Sequence, residues 1–425
     1  MHTKPENMRR FFAFLALLLL PLGLMAQDVI TLMQYNLLQY GNYQGYSGCS
    51  ESTNNTQHKD ECIRTILDYV RPDILTVCEF GATAKLRDDF LSHNLNIGTI
   101  NYWKSDNILN YAGSNLINHI FYDSRKMELK KHVALRTSPR DTDIYELYLK
   151  TQSLIAGDTI KLICIVTHPK AGDGSDYADS RLALMRIAME YVRQHYHDDN
   201  TLIMGDFNMY SANEPGYQLL TRTFGDPEVC FVDPLASSGG VGEWNNNSKF
   251  AQFHTQSTRS ANASCFSSGG LDDRFDFILL SDEIYHGFNK IKYVNNSYYA
   301  VGNDGNHFNQ SINQGVNEAV PSGVAQALFD MSDHLPVTMQ VRVMDNIGVD
   351  ENEMADFRVY PNPTNSQLTV FANGDFRISN ILGQTMTTGR INGNSQIDVS
   401  GLKNGLYFIS INGLTKKFVK TSTLY

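Results

Sequence analysis

The chain has 425 residues, of which 42% are hydrophobic and 19% are charged, and this composition excludes a wholly disordered protein. The formal net charge of -10 disfavours a surface built to hold a polyanion by long-range attraction. The length predicts about two or three domains, here one large domain and one small module.

The N-terminus has the features of an export signal. Lys4, Arg9 and Arg10 precede the apolar run 11–25, which is followed by Ala26. A basic segment, an apolar segment and a small residue are typical of a secretory signal peptide, which we assign to residues 1–26. The apolar run is shorter than the roughly 20 residues of a membrane-spanning helix, so a permanent anchor is disfavoured.

Export makes disulfides possible for the six cysteines. Cys78 and Cys164 lie inside apolar runs, which favours buried free thiols at both positions. The other four cysteines flank two polar loops, although spacing alone does not determine their connectivity. We expect one disulfide across each loop, joining Cys49 to Cys62 and Cys230 to Cys265.

Residues 28–343 alternate apolar runs with amphipathic stretches. Runs of strand length lie at 29–35, 74–78, 162–167, 202–204, 275–280 and 337–343. Helical spacing of apolar residues covers 59–70 and 182–192. This alternation predicts an α/β domain whose sheet is buried between layers. Two long polar segments, 236–270 and 295–322, are expected either to face a substrate or to be partly disordered.

The character of the chain changes after residue 343. Residues 344–356 are polar and acidic, which indicates a linker. Residues 357–425 contain short apolar runs at 357–360, 368–371, 376–379, 405–411 and 416–420. These runs predict a small all-β sandwich domain.

Polar residues end the first two predicted strands. Asn36 follows the first strand and Glu79 directly follows the second. Asn36 alone is better explained by a turn, whereas a carboxylate at a strand end suits a hard divalent cation such as Mg²⁺. The carboxyl ends of strands in open α/β sheets are where ligands bind.

Two further strand ends carry candidate chemistry. His168 ends the run 162–167 and lies two residues before Lys170, and Asp206 and Asn208 follow the run 202–204. A structural histidine and a tight turn are the simpler explanations. The functional alternative is that Asp206 orients an attacking water while Asn208 donates to a phosphoryl oxygen.

Asp276 lies within the run 275–280, where an unpaired buried carboxylate would be costly. The candidate partner is His334, just before the last strand of the large domain. An aspartate that orients an imidazole and stabilises its cationic form is familiar from hydrolases.

The motifs in chain order are Tyr35-Asn36, Glu79, His168 with Lys170, Gly205-Asp206-Phe207-Asn208, Arg274-Phe275-Asp276 and Ser332-Asp333-His334. This ordered set resembles the endonuclease/exonuclease/phosphatase superfamily, which includes deoxyribonuclease I-like nucleases. The resemblance covers about residues 28–343. It implies a four-layer α/β sandwich and a metal-assisted attack of water on phosphorus.

The resemblance implies a metal site. Asn36 and Glu79, together with Asp333, would hold Mg²⁺ or Mn²⁺, and an additional structural Ca²⁺ stays an open alternative. Cys78 stands where many members carry Gln, which is expected to remove a hydrogen bond behind the metal ligand but not the ligand itself.

The resemblance also implies catalytic roles. Asp206 and Asn208 would position water and phosphate. His334, paired with Asp276, would act as general base or would stabilise the transition state. His168 would grip the phosphate or protonate the leaving oxygen.

The C-terminal module has a resemblance of its own. Its motifs are Val359-Tyr360-Pro361-Asn362-Pro363, Ile381-Leu382-Gly383-Gln384 and Leu402-Lys403-Asn404-Gly405-Leu406-Tyr407-Phe408. They resemble the type A sorting domain of type IX secretion. This implies passage through the periplasm and across the outer membrane with the type IX machinery as partner. An adhesive module is disfavoured because no exposed aromatic platform is evident.

The leading hypothesis is a monomeric extracellular nuclease, with Lys170 and Arg274 contacting phosphate and with Arg181 and Arg259 nearby. A phospholipase or sphingomyelinase-like phosphodiesterase is the enzymatic alternative. It would need an exposed hydrophobic finger, and the candidates are Trp244, Phe250 and Phe253. A non-catalytic binding protein should have lost a catalytic residue, but Glu79, Asp206, Asp276 and His334 are all present.

Overall fold

The computed structural model describes residues 29–43, 48–151, 154, 157–344, 358–360, 364–372, 374–391, 394–411 and 414–422. The predicted signal peptide, residues 1–26, and the predicted linker beyond residue 344 lie outside these ranges.

The region up to residue 344 is built on two β-sheets. Its strands are β1 (Val29–Tyr40), β2 (Ile74–Gly81), β3 (Trp103–Ser105), β4 (Leu116–Asp123), β5 (Met127–Leu135), β6 (Thr142–Leu149), β7 (Lys161–Thr167), β8 (Thr201–Asp206), β9 (Phe231–Val232), β10 (Asp276–Ser281), β11 (Ile291–Tyr293), β12 (Tyr299–Ala300) and β13 (Val337–Val343). The first sheet has the order β11-β13-β1-β2-β4-β3, with β12 beside β13. The second sheet has the order β5-β6-β7-β8-β10-β9.

The helices of this region are α1 (Thr56–Val70), α2 (Ala84–Phe90), α3 (Ser175–His195), α4 (Pro215–Thr221), α5 (Asp282–His286) and α6 (Ser322–Met331). A π-helical turn at Leu91–Leu95 extends α2. Asn55 caps α1 by accepting a hydrogen bond from the His58 amide, which satisfies one of the otherwise unpaired amides of the first turn.

The two sheets pack face to face over an apolar layer that includes Leu32 and Met339 from the first sheet and Leu162 and Ile278 from the second. Because helices cover the outer faces as well, the central strands are buried on both sides. This explains why they appear in the sequence as continuous apolar runs.

Helices form the outer two layers. On the first sheet, α1 and α6 contribute Ile66 and Leu328 to a cluster that includes Leu75 of β2. On the second sheet, α3 contributes Met185 to a cluster that includes Ile163 of β7. The arrangement is helix, sheet, sheet, helix, so the predicted four-layer α/β sandwich is confirmed.

The C-terminal part is all-β, as predicted. Its strands are β14 (Arg358–Tyr360), β15 (Gln367–Phe371), β16 (Gly374–Asn380), β17 (Thr385–Ile391), β18 (Asn394–Asp398), β19 (Gly405–Ile411) and β20 (Leu414–Lys420). They form two antiparallel sheets of order β14-β15-β18 and β17-β16-β19-β20. Leu368 of the first and Ile378, Ile409 and Phe418 of the second share one buried cluster, so the domain has a core of its own.

Both predicted disulfides are wrong. The structure joins Cys49 to Cys265 across 216 residues of sequence, and it leaves Cys62 and Cys230 as free thiols. Cys62 lies on the buried face of α1. The folding of the sheets brings two distant loops together, and loop spacing in the sequence cannot show this. The predicted buried free thiols at Cys78 and Cys164 are confirmed.

Within the described ranges, no helix has both the length and the apolar character required to cross a membrane.

Candidate active site

Four parallel strand ends and two neighbouring segments build the candidate site. β1 runs parallel to β2, and β7 runs parallel to β8, so residues at the carboxyl ends of these strands meet at one edge of the sandwich. β10 is antiparallel to β8, and its first residue, Asp276, is the register partner of Asp206. The segment before β13 adds His334 to the same edge.

Two carboxylates converge on the Asn36 side chain. Asn36 Nδ2 lies 2.9 Å from Asp206 Oδ2 and 3.2 Å from Glu79 Oε1. Its Oδ1 accepts a hydrogen bond of 2.9 Å from the Leu38 amide. The Gln39 amide donates to Glu79 Oε2 at 3.0 Å. The last residues of β1 therefore orient both Asn36 and Glu79 toward the centre of the site.

Asp206 is the residue that the other groups share. It is buried, and its Oδ1 accepts from the Asn208 amide at 3.1 Å. Its Oδ2 faces Asn36, His168 Nε2 at 3.3 Å and His334 Nε2 at 3.6 Å. Burial raises the pKa of Asp206 above its usual range, although the nearby His334 opposes this. A carboxylate with a raised pKa is a stronger base than an ordinary one.

His334 is oriented by Asp276. His334 Nδ1 lies 2.8 Å from Asp276 Oδ2, and both side chains are buried. Burial opposes charge on the imidazole, but Asp276 and Asp206 outweigh burial and hold the pKa of His334 well above its usual value. The side chain is therefore a cation at neutral pH, suited to stabilising developing negative charge.

His168 also faces Asp206, but in the opposite protonation state from His334. Its Nε2 lies 3.3 Å from Asp206 and 3.9 Å from Glu79 Oε1. Burial lowers the pKa of His168 well below its usual value, so the imidazole is neutral. Its Nδ1 is buried without a hydrogen-bond partner among the described residues, which leaves a polar atom for a ligand to satisfy.

Asn208 is tied to the backbone on the far side of Asp206. Its Nδ2 donates to the Pro169 carbonyl at 3.4 Å, and its φ of 52° places it in the left-handed region that Asn tolerates better than most residues. The turn after β8 thus connects the Asp206 and His168 strand ends.

The donor set fits a hard divalent cation. Ligand atoms of Glu79, His168 and Asp206 lie within 4.8 Å of one another, and so do those of Asp206, Asp276 and His334. Carboxylate oxygens suit Mg²⁺ or Mn²⁺, whereas imidazole nitrogen is a poor ligand for Mg²⁺. Asp333, the third predicted ligand, belongs to neither group: its Oδ2 accepts from the Ser267 amide at 3.0 Å, and its Oδ1 is buried without a partner among the described residues.

Arg274 does not contact phosphate as predicted. Its side chain is fully buried, donates to Asp233 Oδ2 at 2.8 Å and to the Gly240 carbonyl at 3.0 Å, and stacks over Phe277. Arg181 is buried as well, in an ion pair with Glu214. Both arginines complete buried networks, Arg181 from α3 and Arg274 from the segment before β10, whereas Lys170 is exposed beside the site.

The three aromatic residues that the phospholipase alternative would need as an exposed finger do not form one. Trp244 is completely buried, with Nε1 donating to the Met209 carbonyl at 2.8 Å. Phe250 and Phe253 are half-buried and pack against core clusters. The long segment 236–270 is therefore a folded cover of the second sheet.

Two residues of the site were not predicted. Gln256 Nε2 lies 2.7 Å from His334 Nε2; because the imidazole is cationic, the amide oxygen is the atom that should face it.

Lys59 is buried and donates to the Leu37 and Leu38 carbonyls at 2.7 Å each. Burial lowers the pKa of Lys59 to about 7. Lys59 precedes Cys62 and Ile66 on the apolar stripe of α1, a signal that could have identified it, whereas Gln256 had no such signal.

The fold and this edge of the sandwich define a four-layer α/β protein with a buried centre of carboxylates and histidines. Residues 358–423 match the family model described as a secretion system C-terminal sorting domain. That part of the chain is therefore a sorting domain, as predicted, and it indicates export to the cell surface or beyond.

Several solved structures are similar to the chain. Humanised D. rerio TDP2 has a TM-score of 0.44 at 12% identity, covering 74% of this chain and 98% of that one. The human Nocturnin catalytic domain with bound sulfate has a TM-score of 0.45 at 12% identity, covering 75% and 97%. An endonuclease/exonuclease/phosphatase family protein from Bacteroides thetaiotaomicron has a TM-score of 0.43 at 13% identity, covering 75% and 98%. No curated protein matches the chain.

Proposed function

We propose that the chain is a secreted hydrolase of phosphate esters that depends on a divalent metal and cleaves nucleic-acid phosphodiester bonds. The observation that carries this proposal is the convergence of Glu79, His168, Asp206 and the Asp276–His334 pair at one edge of the sandwich. This set offers a base, a cation and oxygen donors within one hydrogen-bonded centre.

Asp206 is the proposed base. Its Oδ1 is held by the Asn208 amide, and its Oδ2, which accepts from Asn36 Nδ2, faces the centre and would take a proton from water as the water attacks phosphorus. The bond from phosphorus to the leaving oxygen then breaks. The raised pKa of Asp206 brings it closer to neutral pH, where general-base catalysis is most effective.

His334 and His168 have different proposed roles because they differ in charge. The cationic His334 stabilises negative charge on the phosphoryl oxygens, with Asp276 fixing its orientation. The neutral His168 suits gripping the phosphate better than donating a proton to the leaving oxygen. This choice between the alternative roles follows from burial, which penalises charge on His168, and from the two carboxylates that favour charge on His334.

Glu79 would hold the metal, with Asn36 beside it. A bound Mg²⁺ would neutralise charge on the phosphoryl oxygens and on the Glu79 carboxylate. The end of β1 supports this role because the Gln39 amide fixes Glu79 Oε2, which leaves Oε1 facing the centre.

A groove beside the site supports a nucleic-acid substrate. It has a volume of about 770 Å³, and its lining includes Lys170, Tyr177 and Ile187. Lys170 lies two residues after His168 and is exposed, so it can meet a phosphate. Tyr177 is 40% exposed, and an exposed aromatic ring offers a surface on which a base stacks without sequence preference.

The test is hydrolysis by the protein without its signal peptide and sorting domain. Single-stranded DNA, RNA and bis(p-nitrophenyl) phosphate are each incubated with Mg²⁺ and with a chelator. Cleavage of nucleic acid with Mg²⁺ alone is the expected result. Turnover of the small ester without nucleic acid would support the chemistry and reject the substrate.

A further inference from the structure

A second cluster of metal-ligating side chains lies between two helices, outside the catalytic centre. His58 and Cys62 are four residues apart on α1 and therefore share one face of the helix. Asp330 reaches them from α6. His58 Nε2 lies 3.8 Å from Cys62 Sγ and 3.9 Å from Asp330 Oδ2, and the three ligand atoms all lie within 4.8 Å of one another.

These separations are close to those of a tetrahedral zinc site. Zinc binds Cys sulfur at about 2.3 Å and His nitrogen or carboxylate oxygen at about 2.0–2.2 Å, so its ligand atoms lie roughly 3.3–3.6 Å apart. The observed distances from His58 Nε2 exceed this by a few tenths of an ångström.

The polar neighbours of His58 and Asp330 also suit metal ligation. His58 Nδ1 faces Glu61 Oε2 at 3.7 Å, and a carboxylate behind the second ring nitrogen is the usual support for a metal-bound imidazole. Asp330 Oδ2 accepts from Gln326 Nε2 at 2.7 Å, and its Oδ1 lies 3.6 Å from Arg259 Nη2. These neighbours orient the His58 and Asp330 side chains, which could otherwise rotate away from Cys62.

We propose that His58, Cys62 and Asp330 form a zinc site with a solvent molecule as fourth ligand. The His58 side chain is 55% exposed, so the fourth position faces solvent. A thiolate with imidazole and carboxylate selects Zn²⁺ over Mg²⁺ and Ca²⁺, which prefer oxygen. This separates the site chemically from the catalytic centre, whose grouped donors are carboxylates and imidazoles.

The site would join two helices that support the active site. α6 ends at Met331, two residues before Asp333 and three before His334. α1 carries the buried Lys59, which donates to the Leu37 and Leu38 carbonyls near the end of β1. A metal that clamps α1 to α6 would therefore stabilise both supports, and this inference stands whether or not the proposed catalytic activity is correct.

The experiment uses the mature chain after its metals are removed with a chelator. Co²⁺ is added as the probe, because a cobalt–thiolate bond gives a charge-transfer absorption in the near ultraviolet. The expected result is one thiolate band per chain that Zn²⁺ abolishes and excess Mg²⁺ does not. Zn²⁺ is also expected to raise the midpoint of thermal unfolding.

Three variants locate the band. His58→Ala and Cys62→Ser should both remove it and the Zn²⁺-dependent rise in thermal stability. Cys230→Ser is the matched control, because Cys230 is also a free thiol, and this variant should keep both signals. If Cys62→Ser fails to fold, His58→Ala decides, since the His58 side chain is exposed and its loss does not disturb the core.

A folded native protein without a cobalt–thiolate band would overturn the proposal. A band that survives in His58→Ala, or one that disappears in Cys230→Ser, would overturn it equally.

Discussion

His334 Nδ1 lies 2.8 Å from Asp276 Oδ2, and Asp276 is the register partner of Asp206 in the ladder between β8 and β10. The backbone ladder therefore fixes the spacing between the proposed base and the aspartate that orients the imidazole. Any register shift of β10 by one residue would turn Asp276 to the other face of the sheet, so the catalytic geometry depends directly on strand pairing.

Loss of the imidazole should have a large effect on rate. We predict that His334→Ala lowers kcat for phosphodiester hydrolysis by at least about a hundredfold, because the cation that stabilises the phosphoryl oxygens is removed. Asp276→Asn should lower kcat as well, but by less, since the imidazole remains. His197→Ala, at the opposite end of the second sheet, is the control. Full activity in His334→Ala would show that its assigned role is wrong.

Glu79 should control the metal requirement. We predict that Glu79→Gln raises the Mg²⁺ concentration for half-maximal activity by at least about tenfold, because an anionic oxygen donor becomes neutral while the side-chain size is kept. The exposed Glu128 on β5 offers a control in Glu128→Gln. An unchanged Mg²⁺ dependence in the Glu79 variant would place the metal elsewhere.

Tyr177 should distinguish nucleic acid from small esters. Tyr177→Ala removes the exposed ring of the groove, and stacking of a base on an aromatic ring contributes about 1–3 kcal/mol. We predict that KM for single-stranded DNA rises about tenfold, while hydrolysis of bis(p-nitrophenyl) phosphate is unchanged. Tyr69 on α1 is similarly exposed, at 41%, so Tyr69→Ala is the matched control. Equal effects of the Tyr177 change on both substrates would argue against base stacking.

The Cys49–Cys265 disulfide should stabilise the fold. Its loss in the double variant Cys49→Ala/Cys265→Ala should lower the free energy of unfolding by about 2–4 kcal/mol, since it links distant parts of the chain. Cys230→Ala, which removes a free thiol, should cost less. Denaturant unfolding under non-reducing conditions measures both. A double variant as stable as the native protein would contradict a stabilising role.

His132 should make stability depend on pH. It lies between Asp106 Oδ2 at 2.8 Å and Asp143 Oδ1 at 2.9 Å. Burial opposes its charge, but the two carboxylates outweigh burial and raise the pKa of His132 to about 9. A raised pKa in the folded state means that the imidazolium contributes stability below the unfolded pKa of about 6.5, and that this contribution is lost as pH rises toward 9.

The measurement compares His132→Gln with the native protein in urea at pH 6 and at pH 9.5. The difference in unfolding free energy should be largest at pH 6, roughly 3 kcal/mol at most, and should shrink at pH 9.5. The exposed His93 provides the control variant His93→Gln. A difference that stays constant with pH would contradict a charged His132.

The large domain was predictable where burial made the sequence simple. Every predicted strand corresponds to an observed one, because strands buried on both faces are continuous apolar runs. Among the strands that were missed, β4 and β6 are buried, but polar residues such as Asn118 and Asp143 interrupt their apolar runs. β5 was missed because Glu128, Lys130 and Lys131 face solvent at the edge of the second sheet. Boundaries also moved, as when β1 continued through Leu38 and Gln39 despite their positive φ values.

The site was predictable at strand ends and less so elsewhere. The Asp276–His334 contact follows from the cost of burying a lone carboxylate, and the structure confirms the contact. Arg274 was misjudged because a sequence does not show which polar side chains a loop will cover. The disulfide pairing was misjudged for a related reason, since Cys49 and Cys265 become neighbours only after both sheets have formed.

The most direct test of the account is hydrolysis of DNA, RNA and sphingomyelin, side by side, by the mature protein and by Asp206→Asn, each with Mg²⁺ and with a chelator. We predict that the mature protein cleaves nucleic acid only with Mg²⁺, that it leaves sphingomyelin intact, and that the variant is inactive. Metal-independent cleavage, or full activity without the Asp206 carboxylate, would contradict the proposed centre.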